Sequence, residues 1–290
     1  SRDPRSYFSV LGFLDYIIPQ VASPVFAQLV KARHARKGAP VKVLDLGASY
    51  GINGALLKYP ITWDMLRNRY QIADFEGLSA GDLESYDNHY FKAWPRRESV
   101  EVIAQDVSEP ALNFARSSGC IDRGLAINLE ERDPDEETAA ALRDVDLIIS
   151  TGCVGYISEK TFARVMSAAN RADPPWVASF VLRMFPYDRI RDVLSQFGLV
   201  TEKFEGATFI QRRFADRDEM AGVMRQLRGA RVPTAGKEDR GYLHAELFVS
   251  RPAEEIGRFP VTRLVSVAAG EQRLSSGLAP RSGLSFLKNS

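Results

Sequence analysis

A glycine loop and two carboxylates carry the strongest chemical signal in this chain. Asp45–Gly51 has the pattern D-x-G-x-x-x-G and follows a run of β-branched and leucine residues that begins at Val41. Glycines after a buried strand let backbone N–H groups approach a ligand closely. Asp106 ends a second such run, and a carboxylate can accept hydrogen bonds from two neighbouring hydroxyls. Ser49 stands where a dinucleotide-binding loop has its middle glycine, so the loop is a poor fit to a pyrophosphate.

Alternating strands and helices position these residues. A buried strand, a glycine loop and a helix form the opening of a doubly wound α/β sheet. Five strands with helices between them predict a mainly parallel sheet, and a strand group near the end of the chain predicts an antiparallel edge. One intervening helix is predicted over Pro134–Arg143, with Asp133 as its N-cap. The predicted strands are Val41–Gly47, Val100–Asp106, Leu125–Leu129, Val145–Ser150, Trp176–Leu182, Leu199–Phe204, Thr208–Phe214 and Gly241–Ser250.

Composition sets outer limits on the class of protein. The chain has 290 residues, 45% of them hydrophobic, which suits one large α/β domain or a domain with a cap. A net charge of +1 does not call for nucleic acid or a membrane surface as a partner. Two cysteines exclude a disulfide framework, and no Cys/His spacing resembles a metal site, so a reduced, cytoplasmic compartment is expected.

Three motifs in order resemble those of the class I S-adenosylmethionine-dependent methyltransferases, between about Val41 and Ser250. The loop at Asp45–Gly51 is similar to that family's first motif, the stretch Val102–Ala115 to its second, and Asp146–Val154 to the fourth-strand region. The resemblance implies a Rossmann-like, seven-stranded sheet with an antiparallel edge strand, S-adenosylmethionine as cofactor and S-adenosylhomocysteine as product.

The resemblance also implies a set of cofactor-binding residues at the carboxyl ends of strands. The glycine loop would pass the methionine part, and Asp45 would orient its ammonium. Asp106 would bind the ribose, with Val107 packed on the adenine. The implied set is Asp45, Gly47, Ala48, Ser49, Gly51, Asp106, Val107, Asn128, Leu129, Glu130, Thr151 and Gly152.

The chain departs from the family in the long interval between its first two motifs. We interpret residues 59–99 as an insertion beside the pocket, within a domain that spans 38–250. Residues 1–37 are predicted to form a helical cap, because polar residues and prolines interrupt the apolar stretch Tyr7–Val30 and argue against a signal peptide or membrane anchor. Residues 251–290 are predicted to be a tail ordered only by packing on the domain.

The acceptor side of the site is less specific. His89, in the insertion, could act as a general base, although a lone loop histidine is more often a surface residue. Arg183, after the fifth strand, could hold a substrate carboxylate, or form a structural ion pair. We therefore predict His89 and Arg183 as catalytic residues. The predicted acceptor-binding residues are Tyr16, Tyr86, His89, Tyr156 and Arg183.

The sequence predicts methyl transfer to an O or N atom of a small metabolite, because an inserted cap and an N-terminal cap suit an enclosed acceptor. A homodimer is compatible with this interpretation. The chief alternative is an NAD(P)-dependent oxidoreductase of the short-chain type, because Tyr156 and Lys160 fit a Y-x-x-x-K dyad. A non-catalytic protein that keeps the cofactor fold is a further alternative.

Overall fold

The computed structural model describes residues 1–70, 75 and 77–267. Those parts of the predicted insertion and tail that fall on residues 71–74, 76 and 268–290 lie outside the described residues. The strands are β1 (Val41–Leu46), β2 (Val100–Asp106), β3 (Arg123–Ala126), β4 (Leu147–Thr151), β5 (Trp176–Leu182), β6 (Leu199–Lys203), β7 (Phe209–Arg213) and β8 (Tyr242–Pro252). The helices are α1 (Arg5–Phe13), α2 (Ile18–Lys37), α3 (Ile52–Lys58), α4 (Trp63–Arg69), α5 (Ala80–Lys92), α6 (Glu109–Ser118), α7 (Glu136–Leu142), α8 (Glu159–Ala168), α9 (Asp188–Ser195), α10 (Arg217–Gly229), α11 (Ala253–Arg258) and α12 (Val261–Leu264).

One sheet organises the domain, with the strand order β3-β2-β1-β4-β5-β8-β6. The first five of these strands run parallel, and β8 is antiparallel to β5. The long β8 pairs with β6 along its second half and with β7 along its first half. Eight described strands thus occupy seven positions across the sheet. The doubly wound, mainly parallel α/β sheet with an antiparallel strand at this end is confirmed.

Apolar helices cover both faces of the sheet. Residues of α2, α3 and α6 pack on one face in a core that includes Val43, Val102 and Ile149. Residues of α7, α8 and α9 pack on the other face against Leu44 and Ile148. Neighbouring strand residues thus serve opposite cores, because successive side chains of a strand point to opposite faces. Burial on both faces explains the nearly continuous apolar character of β1, β4 and β5.

Two helices precede the first strand, as the sequence predicts for the N-terminal cap. The second, α2, contributes directly to the main core through Val21, Val25 and Leu29. No single helix of the described residues is long and apolar enough to cross a membrane, and α1 with α2 passes that test only as a pair bent by 101°.

The insertion forms two helices that join the cap to the domain. Trp63, in α4, donates a hydrogen bond from Nε1 to the backbone oxygen of Tyr16, at 2.6 Å. The ring of Tyr70 stacks on Phe8 of α1, with 4.1 Å between ring centroids. Helix α5 lies against α6 at the other end of the insertion. The first half of the insertion is therefore packed on the N-terminal cap.

Two local predictions are corrected by the structure. The helix predicted over Pro134–Arg143 begins at Glu136, and its N-cap is Asp135, which accepts a hydrogen bond from Thr138 N at 2.8 Å. Asp133, the predicted N-cap, forms an ion pair with Arg164 instead, at 2.6 Å. The boundary predicted at residue 250 falls inside β8, which continues to Pro252 before α11 and α12.

Candidate functional site

The candidate site lies where the winding of the sheet reverses. Strands β1 and β4 are neighbours, and the helices that follow them, α3 and α8, lie on opposite faces of the sheet. Such a switch point leaves a crevice outside the carboxyl ends of the two strands, where open α/β sheets bind ligands. The loop 47–51 follows β1, and the turn 152–158 follows β4. Both loops thus lie at the carboxyl ends of the strands that flank the switch point.

The loop after β1 is held in a conformation that favours glycine. Gly47 has φ +67°, Ser49 φ +48° and Gly51 φ +76°. A Cβ atom on Gly47 would lie 2.7 Å from Cβ of Cys153, closer than such atoms approach. Glycine is therefore favoured at position 47 for two reasons: the positive φ of its backbone and the close approach of the two loops.

A buried polar chain joins the two strand ends. Nδ2 of Asn53 donates to Oδ1 of Asp45 and to Oγ1 of Thr151, each at 3.0 Å. Asp45 is 1% exposed, and its burial raises the pKa of its carboxyl to about 7, while the hydrogen bond from Asn53 acts in the opposite direction. A buried carboxylate of this kind is stabilised in its ionised form by a cation or by further hydrogen-bond donors.

Acceptor atoms remain open in this chain of contacts. Oδ2 of Asp45, Oδ1 of Asn53 and Oε1 of Gln211 are buried and accept no hydrogen bond from any residue that the structure describes. We call these three oxygens the open acceptors. Buried polar groups are nearly always hydrogen-bonded, so open acceptors at a crevice indicate the place of a ligand with several donors.

The sequence did not single out Gln211. It lies on β7 at an irregularity in the pairing with β8, between Ile210 and Arg212. Its side chain covers Gly152, where an added Cβ would lie 2.1 Å from Nε2 of Gln211. Its backbone oxygen accepts a hydrogen bond from Ile17 N at 2.8 Å, which ties β7 to the cap. A strand irregularity has no signal in the local sequence, and Gln211 was therefore missed.

Asp106 holds the two loops that flank the end of β2. Its Oδ2 accepts a hydrogen bond from Ser49 N, and its Oδ1 accepts one from Ser108 N, each at 2.9 Å. Each oxygen keeps a further acceptor position. Val107, beside it, is 68% exposed. The carboxylate is thus oriented by the glycine loop that it was predicted to accompany.

Two tyrosines of the N-terminal cap cover the crevice. Burial raises the pKa of Tyr7 to about 12, while the neighbouring Ser49 side chain acts to lower it. Burial raises the pKa of Tyr16 as well, while Thr151 acts to lower it. The ring of Tyr7 also lies 5.0 Å from that of Tyr50, in the loop itself. The role of Tyr16 in binding an acceptor stays a prediction.

The residues after β3 divide between core and turn. Oδ1 of Asn128 accepts a hydrogen bond from Glu130 N at 3.0 Å, while Leu129 is buried in the core beneath α8. Burial opposes ionisation of Glu130, but hydrogen bonds from Ser158 and Thr161 at the start of α8 lower its pKa. The Glu130 side chain thus caps a helix, and only Asn128 is left with a polar side chain partly open beside the turn.

The other four predicted acceptor residues are either exposed or ion-paired. His89 and Tyr86 lie exposed on α5, and Nδ1 of His89 contacts the Ser85 backbone oxygen at 2.8 Å. Tyr156 is 87% exposed. Arg183 is buried and forms ion pairs with Glu238 at 2.6 Å and Glu246 at 3.4 Å, so the ion-pair alternative for this residue is what the structure contains.

The dyad of the oxidoreductase alternative is equally open to solvent. Lys160 is exposed in the first turn of α8, and Tyr156 precedes it in the turn after β4. Neither side chain forms a hydrogen bond or an ion pair with Asp45 or with the loop after β1, among the residues that the structure describes. The oxidoreductase alternative is not favoured.

Three comparisons with known proteins were made. No protein-family model matches the chain, and no curated protein matches it at a significant level. Among solved structures, a TehB-like SAM-dependent methyltransferase from Corynebacterium glutamicum is 15% identical, with 77% of this chain and 88% of that chain covered and a TM-score of 0.36. The magnesium protoporphyrin IX methyltransferase from Synechocystis, with bound SAM, is 13% identical over 78% and 79%, at a TM-score of 0.37. The plantazolicin methyltransferase BamL, in complex with a triazolic desmethylPZN analog and SAH, is 11% identical over 80% and 85%, at 0.40.

These similarities are too distant to carry an argument about activity, and the fold rests on the strand order of this chain. That order has an antiparallel penultimate strand and a switch point between β1 and β4. The chain therefore has the doubly wound, Rossmann-like sheet that the resemblance of its motifs implied.

Proposed function

We propose that this protein binds S-adenosylmethionine in the crevice between β1 and β4 and transfers its methyl group to an O or N atom of a small metabolite. The observation that carries the proposal is the set of open acceptors on Asp45, Asn53 and Gln211. An ammonium group has three N–H donors and no acceptor, which matches such a set in number and polarity. The α-ammonium of the cofactor is the group that these oxygens would hold.

The remaining residues fit the other parts of the same molecule. Each carboxylate oxygen of Asp106 has an acceptor position left after its bonds to Ser49 and Ser108, so the pair can receive the two ribose hydroxyls. Gly47 and Gly51 leave the backbone bare where the methionine part would pass. Asn128 has its side chain partly open at the neighbouring strand end, and suits the adenine edge.

The chemistry asks little of the protein beyond alignment. When bound, S-adenosylmethionine supplies a methyl group on a sulfonium, which is already a good leaving group. Tyr7 and Tyr16 would exclude water from above Ser49 and Thr151, and a closed site holds the acceptor atom in line with the methyl carbon. This cover favours a small acceptor over a polymer. His89, exposed on α5, is not required as a base if the acceptor is already deprotonated.

A binding experiment tests the cofactor. The purified chain is titrated calorimetrically with S-adenosylmethionine, S-adenosylhomocysteine, NAD and NADP. We expect both adenosyl compounds to bind and the nicotinamide compounds not to bind. Asp106→Ala should lower the affinity for both adenosyl compounds at least about tenfold, because two charge-assisted hydrogen bonds to the ribose hydroxyls are lost. Asp144→Ala, at an exposed carboxylate on the far end of the sheet, is the matched control. Tight NAD binding without either adenosyl compound would sink the proposal.

A second experiment tests the acceptor. The protein is incubated with S-adenosylmethionine that carries an isotopically labelled methyl group, together with separate small-molecule, RNA and protein fractions of a cell extract. We expect label in the small-molecule fraction alone, and loss of that label in Asp45→Asn. Label in the RNA or protein fraction would refute the acceptor class and leave the cofactor assignment standing.

A further inference from the structure

A second cavity lies at the opposite end of the sheet from the glycine loop. It has a volume of about 500 Å³ and lies between α2 and the segment that follows β8. Ala32, Phe259 and Leu264 give it apolar walls, and Trp176 and Arg251 reach it from the ends of β5 and β8. Cavities of this size and character are typical of sites for small molecules.

The cavity belongs to a site of its own. Trp176 is the first residue of β5, whereas the candidate methyl-transfer site lies at the carboxyl ends of the strands. β5 has seven residues. At about 3.3 Å a residue, the two ends of such a strand are about 20 Å apart. No ligand in the crevice beside Asp45 can reach this cavity, so the cofactor does not explain it.

Two buried N–H donors of the cavity wall are open. Trp176 is 4% exposed and Arg251 is 1% exposed, yet Nε1 of Trp176 and Nε of Arg251 donate to no residue in the described part of the chain. The rest of the Arg251 guanidinium is engaged: Nη2 donates to Glu202 Oε2 at 2.5 Å and to the Phe259 backbone oxygen at 2.8 Å. An open buried donor is costly, and such groups normally meet an acceptor.

Two arginines flank the ring that carries the first of these donors. The guanidinium carbons of Arg33 and Arg251 lie 5.7 Å and 5.4 Å from the centre of the Trp176 ring. Nε of Arg33 is also buried without an acceptor among the described residues. The rim carries two acidic and two basic side chains, Glu254, Glu255, Arg36 and Arg258. The two guanidinium groups are already paired, Arg33 with Asp173 at 2.8 Å and Arg251 with Glu202 at 2.5 Å, so the open N–H donors, and not a net positive charge, call for an acceptor.

We propose that this cavity binds a small amphipathic carboxylic acid, with its carboxylate on Trp176 Nε1 and Arg251 Nε and its apolar body against Ala32, Phe259 and Leu264. A carboxylate offers the acceptor lone pairs that both donors lack. An apolar tail suits walls that present few polar atoms. The site is independent of the proposed methyl transfer and stands or falls without it.

Calorimetric titration of the full chain with octanoate tests the site, with octan-1-ol and octylammonium as matched probes of equal chain length. We expect octanoate to bind, octan-1-ol to bind at least about tenfold more weakly, and octylammonium not to bind, because only the carboxylate satisfies both donors. Octanoate should also raise the midpoint of thermal unfolding.

Two variants localise the effect. Trp176→Phe keeps an aromatic ring and removes the N–H. It should lower the affinity for octanoate at least about tenfold. Ala32→Leu should abolish binding by filling the cavity while the chain stays folded. Trp94→Phe, at a partly buried tryptophan outside this cavity, is the control and should bind octanoate unchanged. Equal binding of all three probes, no octanoate binding, or unchanged affinity in Trp176→Phe overturns the proposal.

Discussion

Asn53 bridges Asp45 and Thr151: its Nδ2 lies 3.0 Å from Oδ1 of the first and 3.0 Å from Oγ1 of the second. One amide thus ties the ends of the two strands that flank the switch point. The bridge consumes only one of the two Asp45 oxygens. The other belongs to the set of open acceptors, where it is a carboxyl oxygen beside two amide oxygens, and it favours a positively charged donor group.

Asp45→Asn should reduce the affinity for S-adenosylmethionine at least about tenfold, because a charge-assisted hydrogen bond becomes a neutral one. The substitution keeps the size of the side chain and the contact with Asn53. Calorimetric titration measures the change, and unfolding in urea confirms that the variant is folded. Unchanged affinity in a folded variant would remove Asp45 from the cofactor site.

The pKa of Asp45 gives the free chain a specific pH dependence. Burial raises this pKa from the ordinary value of 3.8 to about 7. Between those two values the folded state binds a proton that the unfolded state has lost, so the stability contributed by this group is present below about pH 4 and is lost as the pH rises through 7. The free energy of unfolding of the wild type, relative to Asp45→Asn, should therefore fall from pH 5 to pH 8. Urea unfolding at both pH values measures the difference, and a constant difference contradicts the prediction.

Cofactor affinity should show the opposite trend. An ammonium binds the ionised carboxylate, so the affinity for S-adenosylmethionine should increase as the pH rises from 6 to 8. Titrations of the wild type and Asp45→Asn across this range test the trend, and only the wild type should follow it. A parallel trend in both proteins would assign the pH dependence to another group.

Alanine substitutions at Gly47 and Gly38 distinguish the cost of backbone strain from the cost of steric overlap. Both have positive φ, +67° and +71°, but a Cβ on Gly38 would meet nothing within 4 Å, whereas one on Gly47 would meet Cys153 at 2.7 Å. Gly38→Ala should cost about 1–2 kcal/mol in the free energy of unfolding, from the backbone alone. Gly47→Ala should cost at least about 1 kcal/mol more, and it should also lower the affinity for the cofactor. Equal costs in urea unfolding would show that the loops separate easily.

The course of the sheet could be predicted from the sequence because its strands are buried on both faces. Such strands are continuous apolar runs that end at glycine or at a polar residue, as β1 and β4 do. Strand boundaries were harder to predict where a side chain, instead of a neighbouring strand, forms the hydrogen bond to the backbone. β3 ends at Ala126, and the Ile127 backbone oxygen accepts from Nε2 of Gln105 at 2.6 Å, so the strand predicted to reach Leu129 stops early.

The candidate site could be predicted only in its local parts. Asp45 and Asp106 stand at strand ends, and strand ends are visible in the sequence. Gln211 enters from a distant strand through an irregular pairing, which depends on long-range contacts. His89 stays a prediction: a polar, aromatic helix resembles a pocket wall in sequence, and in the structure His89 lies exposed on α5.

Phe8 anchors the N-terminal cap, and Phe13 on the same helix offers a matched control. Phe8 is 2% exposed and stacks on Tyr70, while Phe13 is 67% exposed. Phe8→Ala should lower the free energy of unfolding by about 3–5 kcal/mol, and Phe13→Ala by about 1 kcal/mol or less. Urea unfolding compares them. Because Tyr7 adjoins Phe8, the Phe8 variant should also release S-adenosylhomocysteine faster in stopped-flow measurements; equal release rates would show that the cap does not control access.

Arg183→Met separates the two roles that the sequence left open for this residue. Glu238, its partner at 2.6 Å, is 1% exposed, and burial raises the pKa of Glu238 while Arg183 acts to lower it. Removing the arginine leaves a buried carboxyl unpaired, which should cost about 3–5 kcal/mol. The double variant Arg183→Met, Glu238→Gln should recover part of that loss, because no charge then stays buried. Affinity for S-adenosylhomocysteine should be unchanged in both. If Arg183→Met instead leaves stability intact and abolishes labelling of the small-molecule fraction, Arg183 holds the acceptor, as the sequence alone suggested.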